Sequence, residues 1–170
     1  RLGVPLHRAD LTPGPEGFER STPLTMLAEA ERALLATRAR WVMGSSLGGY
    51  YATALVERSP ALRAVVINPA ITPAQGLRAY LGAQRNIYTG EAYALTQQHL
   101  DELDAMRIER LCDPQRYMLI HATGDELLDY RIAADYYRGA QQIIHPGGDH
   151  GFADFERYLD DVLRFAGMLP

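Results

Sequence analysis

The chain of 170 residues lacks lysine, and all of its 17 basic residues are arginine. The 21 acidic residues outnumber them, so the formal net charge is −4, and the arginines are scattered along the sequence. A nucleic-acid-binding protein needs a concentrated basic surface that faces the phosphates. The composition therefore argues against nucleic acid as a partner.

Cysteine and long apolar segments are also scarce. Cys112 is the only cysteine, which excludes an internal disulfide and leaves packing to hold the fold together. No apolar run approaches the roughly 20 residues of a membrane-spanning helix, and the first residues do not resemble a signal peptide. The length of the chain predicts a single domain over residues 1–170, and none of its segments is expected to span a membrane.

Short apolar runs alternate with segments of helical periodicity. Continuous rather than alternating runs are typical of strands that are covered on both faces, and they occur at Trp41–Met43, Ala64–Ile67, Tyr117–Ile120 and, more weakly, Ile143–Ile144. One helix is expected to begin at Thr22-Pro23, where a capping hydroxyl precedes a proline, and another to cover Phe152–Ala166. This alternation predicts an α/β fold with a mostly parallel sheet and helices on both faces.

Residues from about 70 to 115 interrupt this alternation. Their periodicity is weak, and prolines and glycines such as Pro73, Gly76 and Gly82 punctuate them. A long insertion in a compact domain is usually functional. Two interpretations stay open for this segment: a surface excursion with two or three short helices, or a small helical cap over a functional site.

The strongest local signal surrounds Ser46. Gly44-Ser45-Ser46-Leu47-Gly48 follows an apolar strand and precedes a helix-compatible run, which is the context that the G-x-S-x-G motif requires. The turn is so tight that side chains two residues before and after the serine are expected to collide, and Gly44 and Gly48 remove them. Ser46 is the predicted nucleophile, and the N–H of Leu47 is the predicted oxyanion donor. The alternative is a glycine-serine turn without chemistry.

A serine hydroxyl needs a neighbouring base that accepts its proton. His150 follows the weak fourth strand run, precedes the last helix and has glycines nearby that leave the imidazole room to reach Ser46. We therefore predict that His150 is the base. A packed or surface position is favoured for the other histidines, which are His7, His99, His121 and His145.

The base in turn needs an acid that fixes its tautomer, and in this arrangement the acid comes between serine and histidine in the chain. Asp125 is the first acidic residue after the run Tyr117–Ile120 and is the predicted acid. Asp129 is the alternative, although its position favours a cap for a helix that begins near Tyr130. Glu126 is expected to be solvated.

Other chemistries find little support in the sequence. No pair of histidines has the spacing of metal ligands, and the glycines around Ser46 are not followed by the lysine of a phosphate loop. A nucleophilic role for Cys112 is disfavoured because no turn exposes it. We therefore predict no metal site and no phosphate loop.

The motifs GSSLGGYYAT, INPAITP, YLG followed by YTGE, TGDELLDYR and GGDHGF resemble those of the YqiA-like esterases, which are small bacterial α/β hydrolases. The similarity extends from about Trp41 to the C-terminus. It implies an α/β-hydrolase fold, a cytoplasmic protein without a cofactor, and hydrolysis of small acyl esters or acyl thioesters. Ser46, Asp125 and His150 match the triad motifs of that family.

The resemblance leaves alternatives for the activity. A thioesterase or a peptidase would use the same triad, and a hydrolase-fold binding protein could lack catalysis altogether. In the esterase hypothesis, the insertion contributes Tyr80, Tyr88 and Tyr93 to the acyl pocket.

The N-terminus departs from the family pattern. Such proteins begin with a strand that ends in an LHGF-like motif, and the loop after it donates a second oxyanion N–H. Nothing before Ser46 resembles this motif, and residues 7–10 are expected to belong to a later strand and loop. Either this strand exists in the full protein, which we expect, or the chain is truncated. In the second case the sheet has a gap and the activity should be poor, since losing one oxyanion donor costs a factor of about 10²–10³ in rate.

Overall fold

The computed structural model describes residues 22–85, residue 90 and residues 92–170. His7 and Tyr88, which the sequence analysis considered, lie outside the described residues. The described chain divides into two compact units. One unit contains residues 22–39 and 74–106, and the other contains residues 40–73 and 107–170.

The strands, in chain order, are β1 (Trp41–Ser45), β2 (Arg63–Ile67), β3 (Gly82–Arg85), β4 (Ala92–Leu95), β5 (Tyr117–Ala122) and β6 (Gln141–His145). The α-helices are α1 (Pro23–Thr37), α2 (Leu47–Arg58), α3 (Pro73–Leu77), α4 (Gln97–Ala105), α5 (Tyr130–Tyr136) and α6 (Leu159–Phe165). Short 3₁₀ segments cover Arg78–Tyr80, Pro114–Arg116 and Ala153–Tyr158.

The unit of residues 40–73 and 107–170 contains a four-stranded sheet in the spatial order β1, β2, β5, β6, with every pairing parallel. All four strands coincide with predicted apolar runs. The central strands β2 and β5 are almost fully buried, as expected. The outer strands β1 and β6 are only partly covered, and Met43 is 42% exposed, because each has one neighbour among the described residues.

Helices cover both faces of this sheet. One face carries a cluster of buried side chains from two strands and α6, namely Val65, Ile67, Met118, Ile120, Val162 and Phe165. Because side chains alternate along a strand, Tyr117 of β5 points to the other face, where its ring packs on Tyr137. The Tyr137 hydroxyl lies 2.6 Å from the hydroxyl of Thr53 in α2. The predicted sheet with helices on both faces is confirmed.

The unit of residues 22–39 and 74–106 packs α1 against α4 and contains an antiparallel hairpin of β3 and β4. Helix α1 begins after Thr22, whose side chain accepts a hydrogen bond from the Thr25 N–H, as the sequence predicted. Short helices were expected in this region, whereas the hairpin was not. Among all described residues, no helix has both the length and the apolar character needed to span a membrane.

The end of the chain is less regular than its periodicity predicted. Phe152 has φ 52° and therefore cannot lie within a right-handed helix. A 3₁₀ segment follows, interrupted by non-helical dihedrals at Asp154, and α6 begins only at Leu159. Of the residues with this apolar periodicity, Phe152 and Val162 lie in the core and Phe155 packs against it, whereas Leu159 is 42% exposed.

Candidate active site

Ser46 occupies the turn between β1 and α2 in a conformation that few non-glycine residues adopt, with φ 54° and ψ −122°. Such a backbone costs on the order of 1–3 kcal/mol and persists only where the surroundings enforce it. Here the Ser46 N–H donates to the Ile67 carbonyl at 3.0 Å, and the Ala70 N–H donates to the Ser46 carbonyl at 3.1 Å. The chain that leaves β2 therefore holds the strained turn in place.

The glycines of the turn have different roles. A Cβ on Gly44 would lie 2.1 Å from the Gly48 carbonyl oxygen, which leaves no space for any side chain. A Cβ on Gly48 would contact none of the described residues, so the predicted collision at that position is absent. The second position without space for a side chain is Gly49, where an added Cβ would lie 2.7 Å from Cβ of Pro69.

These contacts predict opposite outcomes for two alanine substitutions. We expect Gly44→Ala to destabilise the protein by about 3 kcal/mol or more, because the methyl group overlaps backbone that cannot rotate away. Gly48→Ala should change the free energy of unfolding by less than about 0.5 kcal/mol or increase it slightly, since the position is helical and open. Urea unfolding of both variants measures the difference, and equal destabilisation would contradict this geometry.

The structure brings the three predicted side chains into one chain of hydrogen bonds. Nε2 of His150 lies 2.9 Å from Oγ of Ser46. Nδ1 of the same ring lies 2.9 Å from Oδ2 and 3.1 Å from Oδ1 of Asp125. The Asp125 side chain is fully buried and the His150 side chain is 20% exposed, so the base lies between a shielded carboxylate and the open side of the site.

The chemistry of the partners decides the direction of these hydrogen bonds. An ionised carboxylate can only accept, so Nδ1 of His150 must donate to Asp125. Neutral imidazole then carries its lone pair on Nε2, and the Ser46 hydroxyl donates to it. This tautomer is the one that can accept the proton of a serine hydroxyl when that hydroxyl attacks a carbonyl.

The loop after β5 fixes the orientation of the Asp125 carboxylate. Oδ1 accepts hydrogen bonds from the N–H groups of Leu127 and Leu128, both at 2.9 Å. Asp129, the alternative acid, instead caps α5 by accepting from the Arg131 N–H at 2.9 Å. That hydrogen bond is the main reason why the pKa of Asp129 lies below its usual value.

Glycines let the loop that carries His150 approach the loop that carries Asp125. Gly147 and Gly148 have φ values of 74° and 73°, which L-residues with side chains rarely adopt. The Gly124 N–H donates to the Gly147 carbonyl at 2.9 Å, and a Cβ on Gly124 would lie 2.4 Å from the Gly148 carbonyl oxygen. The glycines near His150 thus serve the close packing of two backbones.

Two residues that sequence reasoning did not assign to the site hold the main chain of His150. The carboxylate of Glu126 accepts a hydrogen bond from the His150 N–H at 3.0 Å. The carboxamide of Asn68 donates to the His150 carbonyl, also at 3.0 Å. Glu126 is exposed, as expected, but is not merely solvated. Asn68 stands in the INPAITP motif, which carried no chemical signal of its own.

The remaining described histidines lie outside this chain of hydrogen bonds. His99 caps α4, and Nδ1 of His145 lies 2.8 Å from the Tyr158 hydroxyl. His121 is completely buried in β5, and burial lowers its pKa, so that its ring is neutral at pH 7. Across the described part of the chain, no group of three or more histidine, cysteine, aspartate or glutamate side chains is arranged to hold a metal ion.

Leu47, the predicted oxyanion donor, is the first residue of α2. The N–H groups of a first helical turn have no acceptor within the helix and bear the positive end of the helix dipole. The Leu47 N–H therefore has the electrostatic character that the stabilisation of a developing oxyanion requires.

Solved structures with related folds are hydrolases and esterases. A putative hydrolase from Agrobacterium vitis S4 matches with a TM-score of 0.67 and 18% identity over 88% of this chain and 70% of its own. The esterase domain of a Rhodothermus marinus protein matches with a TM-score of 0.61 and 21% identity over 84% and 67%. Est1E from Butyrivibrio proteoclasticus, bound to ferulic acid, matches with a TM-score of 0.66 and 13% identity over 86% and 68%. At these identities the similarity shows that the fold is that of the α/β hydrolases.

The sequence itself gives the narrower assignment. A family model described as "Uncharacterised protein family (UPF0227)" matches residues 18–167, which is most of the chain. The chain therefore belongs to this family, the YqiA-like family that its motifs resemble.

Proposed function

We propose that this protein is a serine hydrolase that cleaves carboxylic acyl esters, with Ser46 as nucleophile, His150 as general base and acid, and Asp125 as the orienting acid. The observation that carries the proposal is the continuous hydrogen bonding from Ser46 Oγ through the His150 ring to the buried Asp125 carboxylate. The strained conformation of Ser46 supports it, because backbone strain of this kind is concentrated at functional sites.

In the proposed reaction, Oγ of Ser46 forms a bond with the acyl carbon while Nε2 of His150 takes the hydroxyl proton. Asp125 stabilises the imidazolium that results, and the Leu47 N–H faces the oxyanion of the tetrahedral intermediate. The intermediate collapses when His150 gives its proton to the leaving alkoxide and the carbon–oxygen bond breaks. Water then attacks the acyl-enzyme by the same steps, which releases the carboxylic acid and restores the Ser46 hydroxyl.

The test combines covalent labelling with a substrate panel. We expect a fluorophosphonate probe to modify Ser46 and p-nitrophenyl esters of short and medium acyl chains to be hydrolysed. Acyl-CoA thioesters and peptide anilides in the same panel separate a thioesterase or a peptidase from an esterase, because all three use the same triad. Failure of both labelling and turnover in the folded protein would identify a hydrolase-fold binding protein instead.

A further inference from the structure

Asn68 lies directly after β2, fully buried, with φ 41°. A positive φ is uncommon outside glycine, and asparagine is one of the few residues that tolerate it well. Fully buried asparagine is uncommon too, because each polar atom of its side chain must find a partner. Asn68 therefore combines a positive φ with complete burial of a polar side chain, and the contacts of that side chain account for its burial.

All hydrogen bonds of the Asn68 carboxamide join it to distant parts of the chain. Oδ1 accepts from the Ala122 N–H at 2.9 Å, at the end of β5. Nδ2 donates to the carbonyl oxygens of Asp149 and His150, at 3.1 and 3.0 Å. One backbone donor and two backbone acceptors surround the group, so only this orientation of the amide satisfies every partner.

The backbone beside Asn68 is bonded to the nucleophile turn. The Ile67 carbonyl accepts from the Ser46 N–H, and the Ala70 N–H donates to the Ser46 carbonyl. The Asn68 N–H itself donates to the Ile120 carbonyl of β5 at 3.0 Å. Residues 67–70 thus contact the turn that carries Ser46, the strand that leads to Asp125 and the loop that carries His150.

We propose that Asn68 is a positioning residue. The two hydrogen bonds that its Nδ2 donates fix the main chain at His150, so that the imidazole can bond to both Ser46 and Asp125. The proposal rests on the function proposed above and extends it to a residue outside the triad. Without those hydrogen bonds, the carbonyls of residues 149 and 150 lose their link to Asn68 at the end of β2. The hydrogen bond from the His150 N–H to the Glu126 carboxylate remains, but Glu126 is exposed.

Two substitutions separate the two halves of the carboxamide. Asn68→Asp retains an oxygen that can accept from the Ala122 N–H but replaces the donor with an oxygen that faces two carbonyls. Asn68→Gly removes both halves and suits the positive φ, so that backbone strain does not prevent folding. If Asn68 only joined β2 to β5, Asn68→Asp would keep the wild-type kcat, although a buried carboxylate that faces two carbonyls lowers the stability of the fold. If Asn68 positions His150, kcat should fall in both variants by a similar factor.

Tyr117→Phe serves as the matched control. The Tyr117 hydroxyl donates a partly buried hydrogen bond to Glu57 at 2.5 Å, at the opposite end of β5 from Ala122. Its loss therefore weakens the same strand away from the site. On a p-nitrophenyl ester we expect kcat of both Asn68 variants to fall by about tenfold to a hundredfold, because small displacements of a catalytic group have effects of that size. KM should change by less than about twofold. Tyr117→Phe should be destabilised with an unchanged kcat.

A second measurement does not depend on turnover. The proton between His150 Nδ1 and the Asp125 carboxylate should give a downfield proton NMR signal in the wild type and in Tyr117→Phe. In both Asn68 variants this signal should be lost or shifted.

Wild-type kcat and an unaltered proton signal in Asn68→Asp would overturn the proposal. If the wild type shows the signal but hydrolyses no acyl substrate, the proposed function fails, and the signal of the variants still decides the role of Asn68. If the wild type shows neither turnover nor the signal, both proposals are wrong.

Discussion

Ser46→Ala is expected to reduce the turnover of a p-nitrophenyl ester by a factor of about 10⁶, because removing the nucleophile of a Ser-His-Asp relay leaves only binding and oxyanion stabilisation. The fold should persist. The Ser46 side chain makes no capping hydrogen bond to α2, and its interaction in the structure is with His150. We therefore expect a change of less than about 0.5 kcal/mol in the free energy of unfolding.

The neighbouring serine provides the control. Ser45 is exposed at the last position of β1, one residue before the strained turn. Ser45→Ala should keep wild-type turnover and fluorophosphonate labelling, whereas Ser46→Ala should lose both. Equal rates for Ser46→Ala and the wild type would remove Ser46 from the mechanism. A loss of turnover in Ser45→Ala alone would show that the nucleophile is Ser45 and not Ser46.

The sheet and the grouping of the three side chains were predictable because each depends on local pattern or chain order. Buried parallel strands require continuous apolar runs, and such a run marks each of β1, β2, β5 and β6. Parallel strands with helices between them place their carboxyl ends at one rim. Residues that follow those strands, as Ser46, Asp125 and His150 do, are then brought close without any knowledge of their contacts.

The parts that sequence analysis missed depend on distant partners. Asn68 bonds to backbone atoms of Asp149 and His150, more than eighty residues away, and no spacing announces such contacts. Glu126 was assigned to solvent because an exposed carboxylate has no local signature of a backbone partner. The hairpin of β3 and β4 was not predicted because Gly82–Arg85 is short and lacks the β-branched and aromatic residues that are typical of strands.

Asp125→Asn is expected to lower kcat by about 10⁴-fold while leaving the fold intact, since the change reverses the hydrogen bond that fixes the imidazole tautomer. Oδ1 of Asp125 accepts from the N–H groups of Leu127 and Leu128. In the variant, the carboxamide oxygen must occupy that position, which places its NH₂ group at the Oδ2 position. There it faces Nδ1 of His150, which lies 2.9 Å from Oδ2 in the structure.

An NH₂ group in that position can only donate, so Nδ1 of His150 becomes the acceptor and the ring proton moves to Nε2. A protonated Nε2 donates to Ser46 Oγ and cannot take its proton, so the nucleophile loses its base although every atom remains close to its place. Ground-state binding should be largely unchanged, because neither the oxyanion donor nor the backbone moves. The measurement is kcat and KM on the ester that the wild type hydrolyses best.

Asp129→Asn is the matched control, because it changes the same functional group four residues further along the chain. Asparagine caps helices as well as aspartate does, so it can replace Asp129 as the acceptor for the Arg131 N–H at the start of α5. Its kcat should equal that of the wild type. If Asp129→Asn instead loses activity and Asp125→Asn retains it, the acid of the relay is Asp129, and the short distance between Asp125 and His150 has no catalytic role.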